Sequence, residues 1–203
     1  MFSMTDRHTE STRSSATSAA AHSLHRRAHG FMLLCALAYG TSAHAAGNAM
    51  EPSKLITDSI TVSGAVDNKL TLKVADLKAF PPQQISEVQL QGRSGANVGK
   101  LINVKGVRLR DILEKAVVST KDHNDVKKTV IIAGASDGYK VVYSWSEVFN
   151  SALGDGVIVY FEKDGAPLGD DEGRIAMISA QDLRTGPRHV KWLQSIEVKK
   201  IAE

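Results

Sequence analysis

The chain is short of sulfur, of charge of one sign and of long apolar runs, and each shortage closes off a class of function. Its 203 residues hold one cysteine, Cys35, and a single sulfur builds no disulfide framework, zinc ribbon or iron–sulfur site within one chain. Basic and acidic side chains nearly cancel, 25 against 22. The excess falls ahead of residue 46, where Arg7, Arg13, Arg26 and Arg27 stand against Asp6 and Glu10. The remainder is almost neutral and has no basic stripe, so nucleic acid is not the expected partner, because phosphate neutralisation demands clustered Lys and Arg. The apolar run Phe31 to Gly40 is about half of the ~20 residues a membrane-spanning helix requires, so a permanent anchor is not expected. Beyond residue 45 the histidines are His123 and His189, too few for a His-rich metal site. A Ser-His-acid triad would need one of them beside a serine on a strained elbow, and that route is not expected either.

What is present begins with an export signal. A Ser-, Thr-, Ala- and His-rich start leads through Arg26-Arg27 to the apolar run and then to Ala43-His44-Ala45, the small, any, small pattern of a signal-peptidase site. Residues 1–45 therefore read as a signal peptide cut after Ala45, and 46–203 as one mature domain in the periplasm. Cys35 leaves with the signal. Met32-Leu33-Leu34 ahead of it lacks the small residue a lipidated cysteine needs, and Ala28-His29-Gly30 matches twin-arginine export poorly, so ordinary secretion is expected.

The mature stretch reads mainly as strands. Ser59 to Val66 and Lys69 to Val74 alternate in the β manner around Asp67-Asn68, an opening hairpin. Ala75 to Phe80 is a short helical turn stopped by Pro81-Pro82, Ile85 to Leu90 a strand, and Gly92 to Gly99 a glycine-rich stretch. Apolar positions 109, 112, 113, 116 and 117 predict a helix over 106–117 with one buried face. A charged loop, 119–128, precedes a strand Thr129 to Ala133. Asp137-Gly138 turns into Tyr139 to Tyr143, and Ser144 with Glu147 has capping-box spacing for a helix through Ala152. Val157 to Glu162, Ile175 to Ser179 and Val190 to Ile201 are further strands, with 169–173 a solvated acidic loop. This composition predicts an α+β fold of mixed and antiparallel sheets with short helices.

The order of motifs resembles the oxidoreductase molybdopterin-binding domain, the sulfite-oxidase fold. The pieces are Val62-Ser63-Gly64-Ala65-Val66, the glycine-led Gly106-Val107-Arg108-Leu109-Arg110-Asp111-Ile112-Leu113, Ser136-Asp137-Gly138-Tyr139, Asp164-Gly165-Ala166-Pro167-Leu168 and the closing Val190-Lys191-Trp192-Leu193-Gln194-Ser195-Ile196-Glu197-Val198. Catalytic members resembling this chain hold molybdenum through a cysteine thiolate after the strand that here ends Val88-Gln89-Leu90-Gln91, and Gly92 stands in that place. Where the family carries a phosphate-side Arg in a Gly-Pro-x-Arg stretch, Gly173-Arg174-Ile175-Ala176 has Ala, with Arg174 close by. The His-containing segment of large members has no counterpart in 46–58.

The resemblance implies a pterin ligand, molybdopterin-related or simpler, with no metal expected. A flat heterocycle needs a stacking slab, an acceptor for its amino-pyrimidine edge and donors for its carbonyl. Trp192, Trp145, Tyr139 and Tyr143 supply slabs, Asp137 or Asp182 the carboxylate, and Arg188, His189 and Lys191 the donors, with Arg174 on the phosphate side. Packing explains Trp145, Trp192, Tyr139 and Tyr143 equally well, and Asp137 is more often a turn residue ahead of Gly138 than a ligand contact. Small exported members without the cysteine resemble periplasmic pterin sensors that signal to the periplasmic domain of a membrane-bound cyclic-dinucleotide receptor enzyme. The alternatives are a molybdenum-cofactor-dependent oxidoreductase of the sulfite-oxidase family and a fold-only assembly domain.

Overall fold

The computed structural model describes residues 54–201; the signal peptide, Cys35 and the cleavage site expected from the sequence lie outside the described residues. In chain order the elements are β1 (Ser59–Gly64), β2 (Leu70–Lys73), α1 (Val74–Leu77), β3 (Gln83–Gln91), β4 (Asn97–Arg108), α2 (Leu109–Ala116), β5 (Thr129–Ala135), β6 (Lys140–Ser144), α3 (Trp145–Phe149), β7 (Val157–Lys163), β8 (Ala166–Pro167), β9 (Ala176–Ser179) and β10 (Leu193–Lys200). Single 3-10 turns cover Asp125–Lys128, Ala152–Gly156 and Gly186–Arg188. The class is α+β, as the sequence predicts.

One sheet runs β2-β1-β10-β5-β6. The opening hairpin is present, with Ile60 opposite Leu72. β10 lies parallel to β1 and antiparallel to β5, which makes this sheet mixed. One face is solvated and the other is apolar: Ile60, Val62, Leu72, Ile131, Ala133, Val141, Tyr143, Ile196 and Val198 all enter the main core. That is the period-two alternation of a one-sided sheet.

The second sheet runs β3-β4-β7-β8, with β9 on β7. Here β7 is apolar on both faces. Val157, Val159 and Phe161 join the main core, while Ile158 and Tyr160 join a second cluster with Val88, Leu101, Val104, Leu168, Ala176 and Ile178. A strand buried on two sides loses its alternation, which is why Val157 to Glu162 reads as a continuous apolar run.

Several boundaries differ from expectation for physical reasons. The helix begins at Leu109, not Gly106, because residues 106–108 pair with β7 as the end of β4. A Cβ on Gly106 would stand 2.2 Å from Val159 O, so the glycine admits the neighbouring strand. Val117 leaves the helix in the left-handed region at φ 59° and is exposed. The glycine-rich stretch, in turn, is a turn at 92–96 followed by the 12-residue β4, whose first residues are exposed and carry no alternation to read. The remaining α2 positions, Leu109, Ile112, Leu113 and Ala116, are buried as their spacing requires.

Candidate functional site

The last strand begins at Leu193 rather than Val190, and that interruption builds the site. Val190 still exchanges both backbone hydrogen bonds with Met177, each 2.8 Å. Trp192, however, stands in the left-handed region at φ 49°, a conformation that costs a bulky L-residue on the order of 1–2 kcal/mol. Three hydrogen bonds hold it there. Its N–H donates to Glu172 O at 2.7 Å, its carbonyl accepts from Ser136 N at 3.1 Å, and its indole Nε1–H donates to Asp170 O at 2.8 Å. The ring lies against Gly173, at φ 83°, where a Cβ would come within 2.8 Å of Trp192 Cδ1. The segment 188–192 is thereby pinned to the loop 169–173.

That loop is not simply a solvated acidic run, as the sequence suggests. Asp170 and Asp171 are exposed, but Glu172 is 3% exposed. Its carboxylate meets Lys163 Nζ at 3.0 Å and accepts from the Tyr160 hydroxyl at 3.3 Å. The same Tyr160 oxygen lies 2.7 Å from His189 Nε2, and the two rings stack with centroids 6.2 Å apart. Burial pushes the His189 imidazole down to about 4, with Glu172 opposing and Lys191 and Lys163 reinforcing the shift. Burial, followed by the Glu172 charge, pushes Tyr160 up. Lys163, Glu172, Tyr160 and His189 thus form one hydrogen-bonded chain, buried at Glu172 and Tyr160 and half-buried at its two ends.

Arg188 faces the other way. Its guanidinium makes a two-pronged contact with Asp182 at 2.6 and 2.5 Å, bonds Glu147 at 2.9 Å and lies 4.4 Å from the Tyr143 ring centroid. The Asp182 bonds raise the Arg188 pKa. Burial alone would raise Glu147, but the Ser144 N–H and Arg188 draw it below the usual carboxylate range. Glu147 is also the capping-box partner of Ser144, as its spacing predicts. Tyr143 is fully buried and pushed up by burial; its hydroxyl has no partner in standard hydrogen-bond geometry, although Ser179 is near enough to act on its ionisation.

The other nominated residues spread around this segment. Tyr139 and Tyr143 both reach the 186–188 turn, Tyr139 Oη by donating to Pro187 O at 2.7 Å. Asp137 is exposed and accepts from Tyr139 N at 2.8 Å, the turn role left open for it. Trp145 stacks on Phe149, centroids 5.0 Å apart, and packs against the main core. Arg174 is exposed. His189 lies within reach of the Lys191 charge, and Trp192 is tied to the same 169–173 loop that carries Glu172; Trp145, Asp137 and Arg174 do not join them in any hydrogen bond, ion pair or ring contact among the described residues. Sequence reading missed Tyr160, Glu172 and Lys163. A phenol inside the run Val157 to Phe161 was the available signal, because a buried hydroxyl requires a partner.

Gly92 turns the chain after β3, its N–H donating to Ala96 O at 2.9 Å. It abuts Gly186 at the start of the turn that carries Arg188: a Cβ on Gly186 would lie 2.8 Å from Gln91 O and 3.6 Å from Gly92 Cα. Cysteine does not occur among the described residues, and they hold no group of three His, Cys, Asp or Glu able to hold a metal ion. The donor set does not fit a thiolate-bound metal. Residues 134–138 do have the Gly-x-Ser-x-Gly spacing that the sequence reading passed over. They close the β5–β6 hairpin instead of a strand–helix elbow, and Ser136 Oγ donates to Leu55 O. Two clefts lie elsewhere, one of about 580 Å³ lined by Gln84, Asn103, Lys105, Glu162, Asp164 and Gly165, the other of about 220 Å³ between α1, β4 and β7. None of the nominated residues lines either, and hydrogen-bonding chemistry, not cleft size, marks the segment 188–192 as the candidate site.

No curated protein matches the chain. Among solved structures it is similar to the sulfane dehydrogenase SoxCD from Paracoccus pantotrophus, at 17% identity and a TM-score of 0.49, over 76% of this chain and 41% of that one. The chain therefore spans less than half the length of that protein. The sequence profile of the oxidoreductase molybdopterin binding domain matches residues 50–203, which takes in every described element from β1 to β10 and the whole 188–192 segment. The chain belongs to the oxidoreductase molybdopterin-binding domain family.

Proposed function

We propose that this protein is an exported, non-catalytic pterin-binding sensor that reports its ligand to the periplasmic domain of a membrane-bound cyclic-dinucleotide enzyme. Membership of a molybdopterin-binding family supports a pterin as the ligand class. The observation that carries the non-catalytic half is Gly92: the turn nominated for the metal thiolate has no sulfur, while the segment resembling the family's last strand, with Lys191 and Trp192, is present. The residues fit the organic ring better than the metal. Trp192 offers a half-buried aromatic ring, and Lys191 and His189, in the same segment, offer polar groups. The second reading, a molybdenum-dependent oxidoreductase, draws support from the family's name.

Calorimetry with oxidised and reduced pterins tests the binding half. Micromolar or tighter binding is expected, and Trp192→Ala should weaken it roughly tenfold to a hundredfold, the ~1–3 kcal/mol of a lost stacking face. His123→Ala, in an exposed loop, should leave it unchanged. No heat with any pterin sinks the reading, and one molybdenum per chain with turnover replaces it by the oxidoreductase. Export is tested by N-terminal mass: a mature chain from Ala46 supports it, and an intact Met1 in the cytoplasm overturns it. Signalling requires that pterin change the affinity for the receptor domain, since a ligand shifts an equilibrium only through different interactions with its two states.

A further inference from the structure

We propose that His189 is the acceptor that selects the ligand: its Nδ1, held without a proton by the chain of hydrogen bonds behind it, receives an N–H or O–H of the ring bound beside Trp192. This rests on the pterin reading and assigns His189 the role opposite to the donor expected from sequence.

The assignment follows from counting protons along the buried chain. The Lys163 ammonium has donors and no acceptor, so its 3.0 Å contact takes Glu172 Oε1 as an acceptor. The carboxylate held by that ammonium has no proton to give, and Tyr160, 3.3 Å from Glu172 Oε2, turns its single hydroxyl proton towards it. Only lone pairs of Tyr160 Oη then face His189 Nε2 at 2.7 Å, so Nε2 carries the hydrogen and donates it. A neutral imidazole has one N–H, and the bond made by one nitrogen dictates the state of the other. Nδ1 is left with a lone pair. The burial that depresses the His189 pKa to about 4, helped by Lys191 and Lys163, keeps the ring neutral around pH 7.

Nδ1 is also not fully enclosed. It takes no hydrogen bond from the described residues, and it is not one of their fully enclosed, unpartnered polar atoms, which are Arg110 Nε and Tyr143 Oη. A lone pair at a half-buried position accepts a donor and repels a carboxylate or phosphate oxygen. An amino-pyrimidine edge, rich in N–H, satisfies it; an anionic group does not.

Nitrogen-15 spectra of histidine-labelled full-length protein test this directly, with His189 assigned by its loss in His189→Gln. The expected apo spectrum shows a protonated, pyrrole-like Nε2 and a pyridine-like Nδ1. Addition of pterin (2-amino-4-oxopteridine) should move Nδ1 by the shift of a newly accepted hydrogen bond. Tyr160→Phe, in which the relay is cut, should give a mixture of tautomers and bind the same pterin several-fold more weakly. An Nδ1–H tautomer in the apo protein overturns the proposal, as does pterin binding measured by heat with Nδ1 unmoved; both leave the pterin reading intact. The absence of any heat of binding overturns the pterin reading and this proposal with it.

Discussion

The Arg188 guanidinium lies over the Tyr143 ring at 4.4 Å while its edges grip Asp182 and Glu147. One side chain thereby ties the 186–188 turn to β6, to α3 and to the loop after β9. Arg188→Ala leaves two carboxylates uncompensated, Asp182 with its side chain 10% exposed, and is expected to destabilise the fold by roughly 2–4 kcal/mol. Arg188→Lys should recover little of this, because an ammonium cannot reproduce the planar two-pronged contact or the stacking. Urea unfolding of the two variants measures both.

His189 adds a pH dependence whose sign is set by its lowered pKa. Unfolded, the imidazole binds a proton near pH 6.5; folded, only near 4. Between those values the unfolded chain holds more protons, so stability falls as the pH drops through the window and its neutral-histidine contribution is fully present above about 6.5. The groups facing the ring are Tyr160, Glu172, Lys163 and Lys191. The expected loss is on the order of 2–3 kcal/mol across the window, and His189→Gln should lose correspondingly less. Unfolding at pH 7, 5.5 and 4.5 in parallel for both proteins checks the difference.

Gly173→Ala should disturb Trp192 before anything else. The new methyl would lie 2.8 Å from Trp192 Cδ1 on a backbone at φ 83°, a combination expected to cost roughly 1–3 kcal/mol. A lower denaturation midpoint together with altered tryptophan emission is the expected result. An unchanged spectrum would show that the ring does not rest on Gly173.

Gly92→Cys should fold. A Cβ there meets only Val98 Cγ1 at 3.5 Å and Ala96 O at 3.8 Å, ordinary contacts. The variant is nevertheless expected to gain neither stoichiometric molybdenum nor redox turnover, because by family resemblance the phosphate-side Arg and the upstream His segment are missing too. Metal analysis of the purified variant decides this, and one molybdenum per chain would show that the cysteine alone was lacking.

By itself, the sequence determined what nearest neighbours along the chain can specify. Alternation placed the β1–β2 hairpin, 3.6-residue spacing placed the buried face of α2, and Ser144 with Glu147 placed the start of α3. The motif order pointed to the family, and the absence of a second cysteine was legible at once. Tertiary structure alone decided that Gly106 belongs to a strand, since the reason is the backbone of Val159 on β7. It also decided that Glu172 is buried and Asp170 is not: three adjacent acids read alike until Lys163 and Tyr160, on β7, supply partners for only one of them. The state of His189 is of the same kind. Which of its nitrogens carries the proton depends on a tyrosine 29 residues away, a glutamate on a different loop and the lysine that holds that glutamate, and no local pattern encodes a proton count shared among four side chains.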